Sequence, residues 1–186
     1  RDLPWAKLNL ARALLGQNRL TEAEKLLKSV IKQQSINTAA MDLLAKVQLA
    51  AEQPLVAQET LQRSIDLSPH SMKRHQQMIE VATVNNNYLL LKECYSKLLH
   101  LSRRSVHAGV EHLCNYLRSI INAVENSEEK TDIYKLQNEL TTTLQRAKYE
   151  EGRSLSYQYS SLEGVIQAQL QSARGESLKA KKTLME

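Results

Sequence analysis

The sequence predicts an all-α protein, and its composition and an internal repeat are the observations that indicate this class. The 186 residues include only 5 glycines and 3 prolines, and helix-favouring Leu, Ala, Gln, Glu and Lys are abundant along the chain. Clusters of β-branched and aromatic residues bounded by turn residues, which are typical of strands, do not occur in the sequence. Helices are therefore expected from one end of the chain to the other.

Two similar amphipathic segments follow one another in the first part of the chain. The stretches "NRLTEAEKLLKSVI" at 18–31 and "PLVAQETLQRSIDLSP" at 54–69 place Ala23 and Ala57 at the same point. We call the distance along the chain from Ala23 to Ala57 the repeat interval. Each unit is predicted to be two helices joined by a polar turn, "GQNR" at 16–19 and "AEQP" at 51–54. The other matched pairs are Leu10 with Leu44, Ala11 with Ala45, Leu27 with Leu61, and Ile31 with Ile65.

A third unit follows with a looser pattern, and the repeat fades beyond it. Pro69 cannot continue a helix and separates the second unit from the third, in which Asn85–Asn87 take the place of the first polar turn. We predict a single helical domain over 1–186. Its parts are repeat 1 at 1–36, repeat 2 at 37–70, repeat 3 at 71–104, a longer divergent helix pair at 105–152, and a truncated final pair at 153–186 that turns at Gly175.

This pattern resembles the tetratricopeptide repeat (TPR), a unit of about 34 residues in which small residues stand where the two helices cross. Leu20, Ala23 and Leu27 follow the family's signature in the first unit. The resemblance implies a right-handed α-α superhelix of antiparallel helix pairs, a TPR solenoid, and it is strongest over 1–101. The second unit matches at Leu44, Ala45, Ala57, Leu61 and Pro69, whereas the family's Trp position holds Lys7, Met41 and His75.

A TPR-like array implies a concave groove lined by the first helix of each unit. Such a groove could bind a peptide through apolar pockets and charges, or it could be an ordinary solvated face or be filled by the chain's own C-terminal helix. Trp5 is a residue type that often anchors interfaces, and it could equally cap the first helix pair. The candidate groove residues are Trp5, Leu8, Asn9 and Arg12 of repeat 1, Asp42, Leu43 and Lys46 of repeat 2, and Lys73, Gln76, Gln77 and Glu80 of repeat 3.

Charge and hydropathy disfavour two classes of partner, nucleic acids and membranes. The formal net charge is +5, but the basic residues are interleaved with acidic ones, whereas a nucleic-acid surface concentrates them on one face. Binding to nucleic acid is therefore not expected. No apolar run reaches the roughly 18 residues that a membrane-spanning helix needs.

Catalysis and metal binding find little support in the sequence. A Gly-rich phosphate loop, a nucleophile elbow and a zinc helix motif are all missing. His107, His112 and Cys114 lie close together, but the five-residue gap between the histidines places them on different faces of a helix. We therefore expect a protein that is not an enzyme and that carries no cofactor and no metal.

Three runs of sequence are similar to bacterial response regulators in which a phosphorylatable receiver precedes a TPR region. They are "PWAKLNLARALL" at 4–15, "SPHS" at 68–71 and "SRRSVH" at 102–107. The resemblance implies a cytoplasmic, non-catalytic module of two-component signalling, with a receiver upstream of Arg1 whose phosphorylation changes groove exposure or dimerisation. The expected partner is another protein or peptide in the groove, and a homo-oligomer is also considered. The alternative is a TPR scaffold for the assembly of an envelope, pilus or secretion complex.

Overall fold

The computed structural model shows α-helices joined by short turns in the residues that it describes. These residues contain no strand, which confirms the predicted all-α class. The chain divides into two compact units, Arg1–Leu101 and Ser102–Glu186. The described residues are 3–101, 115–123, 126, 135, 138–139, 142, 164, 167–168, 171–172, 175–176, 178–179 and 182–183.

Six helices build the first unit, and their bounds recur at the repeat interval. Each helix packs against the next one along the chain, and the first also contacts the third. Because the connections between them are short, neighbouring helices run antiparallel. The first helices of the pairs are α1 (Pro4–Gly16), α3 (Thr38–Ala50) and α5 (Met72–Val84), and the second helices are α2 (Leu20–Gln33), α4 (Pro54–Leu67) and α6 (Tyr88–Leu101).

Three of the helices, α1, α3 and α4, begin at residues that suit a helix start. Pro4 and Pro54 open α1 and α4, where the missing proline N–H leaves no helical hydrogen bond unmade. The Oδ1 atom of Asn37 accepts a hydrogen bond from the backbone N–H of Ala40 at 3.0 Å and so caps α3. Local residue chemistry therefore accounts for the start of these helices.

The turns inside the three helix pairs share one backbone conformation. Asn18, Glu52 and Asn86 follow one another at the repeat interval and have positive φ angles of 59°, 57° and 52°. The N–H of the next residue donates to the carbonyl oxygen five residues earlier in every case, for instance Arg19 to Leu14 at 2.9 Å. This combination is the Schellman ending of a helix. The repeat seen in the sequence thus extends to the backbone geometry.

Glu52 is poorly suited to its left-handed conformation, because a Cβ atom crowds the backbone there and glycine avoids the clash. We expect Glu52→Gly to raise the free energy of unfolding by about 0.5–1 kcal/mol. Urea unfolding followed by circular dichroism measures this change. The matched control is Glu59→Gly, at an exposed position inside α4, which should lower stability by about 1 kcal/mol. A similar loss in both variants would contradict the turn geometry.

The small residues at the helix crossings are buried between the helices. Ala11, Ala23, Ala45 and Ala57 are each at most 2% exposed. They belong to two apolar clusters that fill the space between successive helices. One cluster contains Ala11, Leu14, Ala23, Leu27, Val30, Ala40, Leu43, Leu44 and Val47, and the other contains Ala45, Ala57, Leu61, Ile65, Met78, Val81 and Cys94.

The second unit contains a described helical stretch at 115–123. Leu117, Ile120 and Ile121 in this stretch are buried. The hydroxyl of Tyr116 donates a hydrogen bond to the carboxylate of Glu139. Most of the predicted division into pairs at 105–152 and 153–186 lies outside the described residues.

The turn at Gly175 repeats the turn geometry of the first unit. Gly175 has a φ of 77°, and the N–H of Glu176 donates to the carbonyl oxygen of Gln171 at 2.8 Å. Ala168 precedes this turn by seven residues, as Ala11 precedes Asn18, and both alanines are buried. This segment therefore uses the same Schellman ending as the three pairs before Leu101. No helix among the described residues has the length and apolar character that crossing a membrane requires.

Candidate functional site

The candidate groove residues lie on α1, α3 and α5, the first helices of the three pairs. Spacings of three and four residues place their side chains on one side of each helix. We call the surface formed by these residues the first-helix face. Its members are Trp5, Leu8, Asn9 and Arg12 on α1, Asp42, Leu43 and Lys46 on α3, and Lys73, Gln76, Gln77 and Glu80 on α5.

The members of the first-helix face differ in how far they reach solvent. Leu8 is half-buried and packs against the first apolar cluster. Leu43 and Gln77 are only 8% and 6% exposed, so they hold helices together and offer little surface to a partner. The exposed members are Trp5, Asn9, Arg12, Lys46, Lys73, Gln76 and Glu80.

The side chain of Arg12 is held at the surface of α1 by Asn9, which lies one turn earlier in the helix. Its Nη1 atom donates a hydrogen bond to Oδ1 of Asn9 at 3.1 Å, and both side chains are exposed. Lys46 stands one repeat interval after Arg12 and is also exposed. The repeat therefore places two basic side chains at the same position of two successive first helices.

Asp42 makes contacts inside the protein and its charge is neutralised there. The Nε atom of Arg74 donates to Oδ1 and Oδ2 of Asp42 at 2.9 and 3.1 Å, and the hydroxyl of Ser64 donates to Oδ1 at 2.5 Å. The side chains of Arg74 and Asp42 are only 12% and 14% exposed. This polar network joins α3, α4 and α5 through Asp42, a member of the first-helix face.

Two glutamines are buried in the first unit, Gln48 on α3 and Gln77 on α5. Nε2 of Gln77 lies 3.4 Å from the carbonyl oxygen of Asp42, to which it donates. Oε1 of Gln77 is buried and accepts no hydrogen bond from the described residues. Oε1 of Gln48 in α3 is in the same situation. A buried polar atom without a partner costs about 1–3 kcal/mol. A hydrogen-bond donor that reached either amide oxygen would therefore stabilise the unit.

Sequence reasoning missed Ser64 and Arg74, although the repeat contains the signal. Ser64 stands one repeat interval after Val30, and both are fully buried. Arg74 stands one repeat interval after Ala40, which is also buried. A polar side chain at a repeat position that is otherwise apolar needs a buried partner. Two such positions in successive helices could have indicated a buried polar network, although not that Asp42 is its acceptor.

His75 and Cys94 are buried in the core, at 5% and 4% exposure. The Nε2 atom of His75 lies 2.8 Å from the carbonyl oxygen of Pro69. Cys94 is a free thiol, and burial, with a smaller effect of the Glu93 charge, raises its pKa to about 12. A thiol that stays protonated at neutral pH is a poor nucleophile.

Within the described ranges, no group of three or more His, Cys, Asp or Glu side chains could hold a metal ion. The sequence places His107, His112 and Cys114 close together, but these three lie outside the described residues. The first-helix face itself combines an indole ring, amides and charged groups. Such groups can make contacts with a polypeptide, and no cofactor is required for them to do so.

No protein-family model and no curated protein matches this chain. The resemblance to the TPR therefore rests on the residues and repeat geometry of this chain. The functional conclusion depends on the same observations.

Proposed function

We propose that this chain is a non-catalytic protein-interaction module built as a TPR solenoid, a right-handed superhelix of antiparallel helix pairs. The observation that carries this proposal is the recurrence of helix bounds and left-handed turn residues at the repeat interval through three pairs. Buried alanines at the crossings of the first two pairs add to it. Similar units stacked with a constant rotation form a superhelix, and one side of it offers an extended binding surface.

The first-helix face is the surface that we assign to partner binding. Trp5 is 62% exposed, and tryptophan is one of the residue types that contribute most to binding energy at protein interfaces. Asn9 and Gln76 add exposed amide groups that can pair with a peptide backbone. An apolar anchor surrounded by polar groups is the usual arrangement of a protein-binding surface.

The charge of the first-helix face favours an acidic partner segment. Arg12, Lys46 and Lys73 are exposed and basic, and Glu80 is the exposed acidic member. The carboxylate of Asp42 is already paired with Arg74. Complementary charge speeds association and selects partners. The partner segment is therefore proposed to carry carboxylates near an apolar side chain that contacts Trp5.

For the cellular setting we propose the output part of a bacterial two-component response regulator in the cytoplasm, downstream of a receiver domain. The sequence runs at 4–15, 68–71 and 102–107 support this setting. Sequencing the native polypeptide ahead of Arg1 tests it. An α/β pattern with a phosphate-accepting aspartate is the expected result. A cleaved apolar leader would instead favour the scaffold of an envelope, pilus or secretion complex.

A double charge reversal, Arg12→Glu with Lys46→Glu, tests partner binding by the first-helix face. We expect partner capture to fall by about tenfold or more, because two attractive contacts become repulsive. Capture is measured by cross-linking the chain in a native extract and quantifying the enriched proteins. Helicity should not change, because both side chains are exposed.

The matched control for this test is Lys25→Glu with Lys32→Glu. Both lysines are exposed on α2, and the control changes the net charge by the same amount as the first-helix variant. Capture by the control should equal that of the unmodified chain. Equal losses in the two variants would show a general charge effect, and undiminished capture by the first-helix variant would place the binding surface elsewhere.

A further inference from the structure

The junction between the first and second helix pairs differs in chemistry from the junction between the second and third pairs. At the first junction, four apolar residues of α1, α2 and α3 pack in or against one apolar cluster. At the second junction, one repeat interval later, the same four positions of α3, α4 and α5 hold polar residues. The matched positions are Leu8 with Asp42, Val30 with Ser64, Ala40 with Arg74, and Leu43 with Gln77.

The four polar residues of the second junction are bonded to one another through Asp42. Its carboxylate accepts hydrogen bonds from Nε of Arg74 and from the hydroxyl of Ser64, and its carbonyl oxygen accepts one from Nε2 of Gln77. The side chains of Asp42 and Arg74 keep 14% and 12% exposure, so this set of contacts borders solvent. We call these four residues the polar junction.

Polar contacts hold a junction closed less firmly than apolar contacts between side chains of similar size. When a junction opens, water replaces the lost hydrogen bonds and ion pairs, whereas newly exposed apolar side chains are hydrated unfavourably. Replacing a buried ion pair by well-packed apolar residues is accordingly often neutral or stabilising. Apolar contact at the second junction continues through Leu61 of α4 and Met78 and Val81 of α5. The polar junction is therefore the weaker part of this interface.

We propose that the polar junction is a joint at which the third pair, α5 and α6, detaches from the second pair while the first two pairs stay packed. Helices of 13 and 14 residues are marginal in water without packing. Detached α5 and α6 therefore lose their helical hydrogen bonds together, as one cooperative unit. Detachment also separates Lys73 of α5 from Lys46 of α3 and so divides the first-helix face, a consequence for partner binding that rests on the proposed function.

Hydrogen exchange of the whole chain, followed by mass spectrometry of its peptides, measures this opening. We expect the amides of α5 and α6 to share a protection factor about tenfold or more below that of α2 and α3. A fourfold variant replaces each residue of the polar junction by its counterpart in the first junction. It should raise the protection of α5 and α6 by about tenfold or more and leave that of α2 unchanged. The substitutions are Asp42→Leu, Ser64→Val, Arg74→Ala and Gln77→Leu.

Gln77→Leu alone tests the same joint if the fourfold variant loses helicity, because it keeps the ion pair. Nε2 of Gln77 makes a long hydrogen bond of 3.4 Å, and its Oε1 accepts none from the described residues. A leucine of similar size should therefore hold the junction closed more firmly and raise the protection of α5 and α6 several-fold. Gln76→Leu is the matched control, since Gln76 is exposed on the same helix, and it should leave the protection unchanged.

A gain of protection confined to α5 and α6 supports the proposal. Equal protection of α2, α3, α5 and α6 in the unmodified chain overturns it, because the first unit would then open as a whole. A gain of the same size in α2 does so for the same reason. Protection of α5 and α6 that the substitutions in the polar junction leave unchanged or lower also overturns it, since other contacts would then govern the opening. These measurements use no partner, so they do not depend on partner binding by the first-helix face.

Discussion

Ala23→Trp is expected to lower the free energy of unfolding by about 1–3 kcal/mol or more, because an indole ring overpacks a crossing that holds only a methyl group. Ala23 is fully buried, in one cluster with Ala11 of α1 and Leu27 of α2. For a unit of about 100 residues, each kcal/mol lowers the midpoint of thermal unfolding by about 4–8 °C. Thermal and urea unfolding followed by circular dichroism measure the effect.

The control for this substitution is Ala39→Trp. Ala39 is exposed on α3, and a tryptophan there should change stability by no more than about 0.5 kcal/mol. The comparison separates the effect of overpacking from the effect of introducing an indole. An unchanged melting curve for Ala23→Trp would contradict the close crossing of α1 and α2 at this residue.

Asp42→Ala is expected to destabilise the first unit by about 3 kcal/mol. The substitution leaves the Arg74 guanidinium without its carboxylate at a site where only 12% of its side chain reaches solvent. It also removes the acceptor of the Ser64 hydroxyl. Urea unfolding of the variant and of the unmodified chain, at the same pH and salt concentration, measures the loss.

A double-mutant cycle with Arg74→Ala shows whether the loss comes from the ion pair. Once Asp42 has been replaced, removing Arg74 should cost little, because the second substitution removes the unpaired buried charge. Asp42→Leu with Arg74→Met should restore much of the stability by filling the space with apolar groups. Losses that simply add in the cycle would show that the two side chains do not interact.

The helix pairs could be predicted from the sequence because their determinants are local and periodic. The repeat interval, the crossing alanines Ala23 and Ala57, and the polar turns all follow from residue type and spacing along the chain. The same signals placed a turn at Gly175, where the backbone has a φ of 77°. The left-handed conformation of Glu52 was less apparent, because glutamate has no preference for it.

The sequence could assign the candidate surface to one side of each first helix, but it could not show which residues on that side are exposed. Asp42 and Leu43 are adjacent, and successive residues of an α-helix point about 100° apart, so a small error in the assumed rotation moves a side chain from solvent to core. Leu43 is such a residue, because it was predicted to line the groove and is buried in the structure. The partner of Asp42 is Arg74, 32 residues away, and spacing along the chain does not indicate which distant side chains meet.

The repeat pattern also could not show that Leu10 is exposed. The superposition matches Leu10 with Leu44, which is 5% exposed, whereas Leu10 is 52% exposed. The two residues occupy the same position of their helices, but α2 packs against α3 at Leu44. A repeat predicts which face of a helix can pack, and the neighbouring helix determines whether that face is covered.

Site-specific photo-cross-linking is the measurement that most directly tests whether the first-helix face binds a protein. A photoreactive residue would replace Gln76, exposed on α5, and in a matched variant Gln62, exposed on α4 outside the first-helix face. We predict a discrete protein adduct at position 76 that the Arg12→Glu, Lys46→Glu variant loses, and none at position 62. Equal adducts at both positions, or an adduct at position 62 alone, would contradict partner binding by the first-helix face.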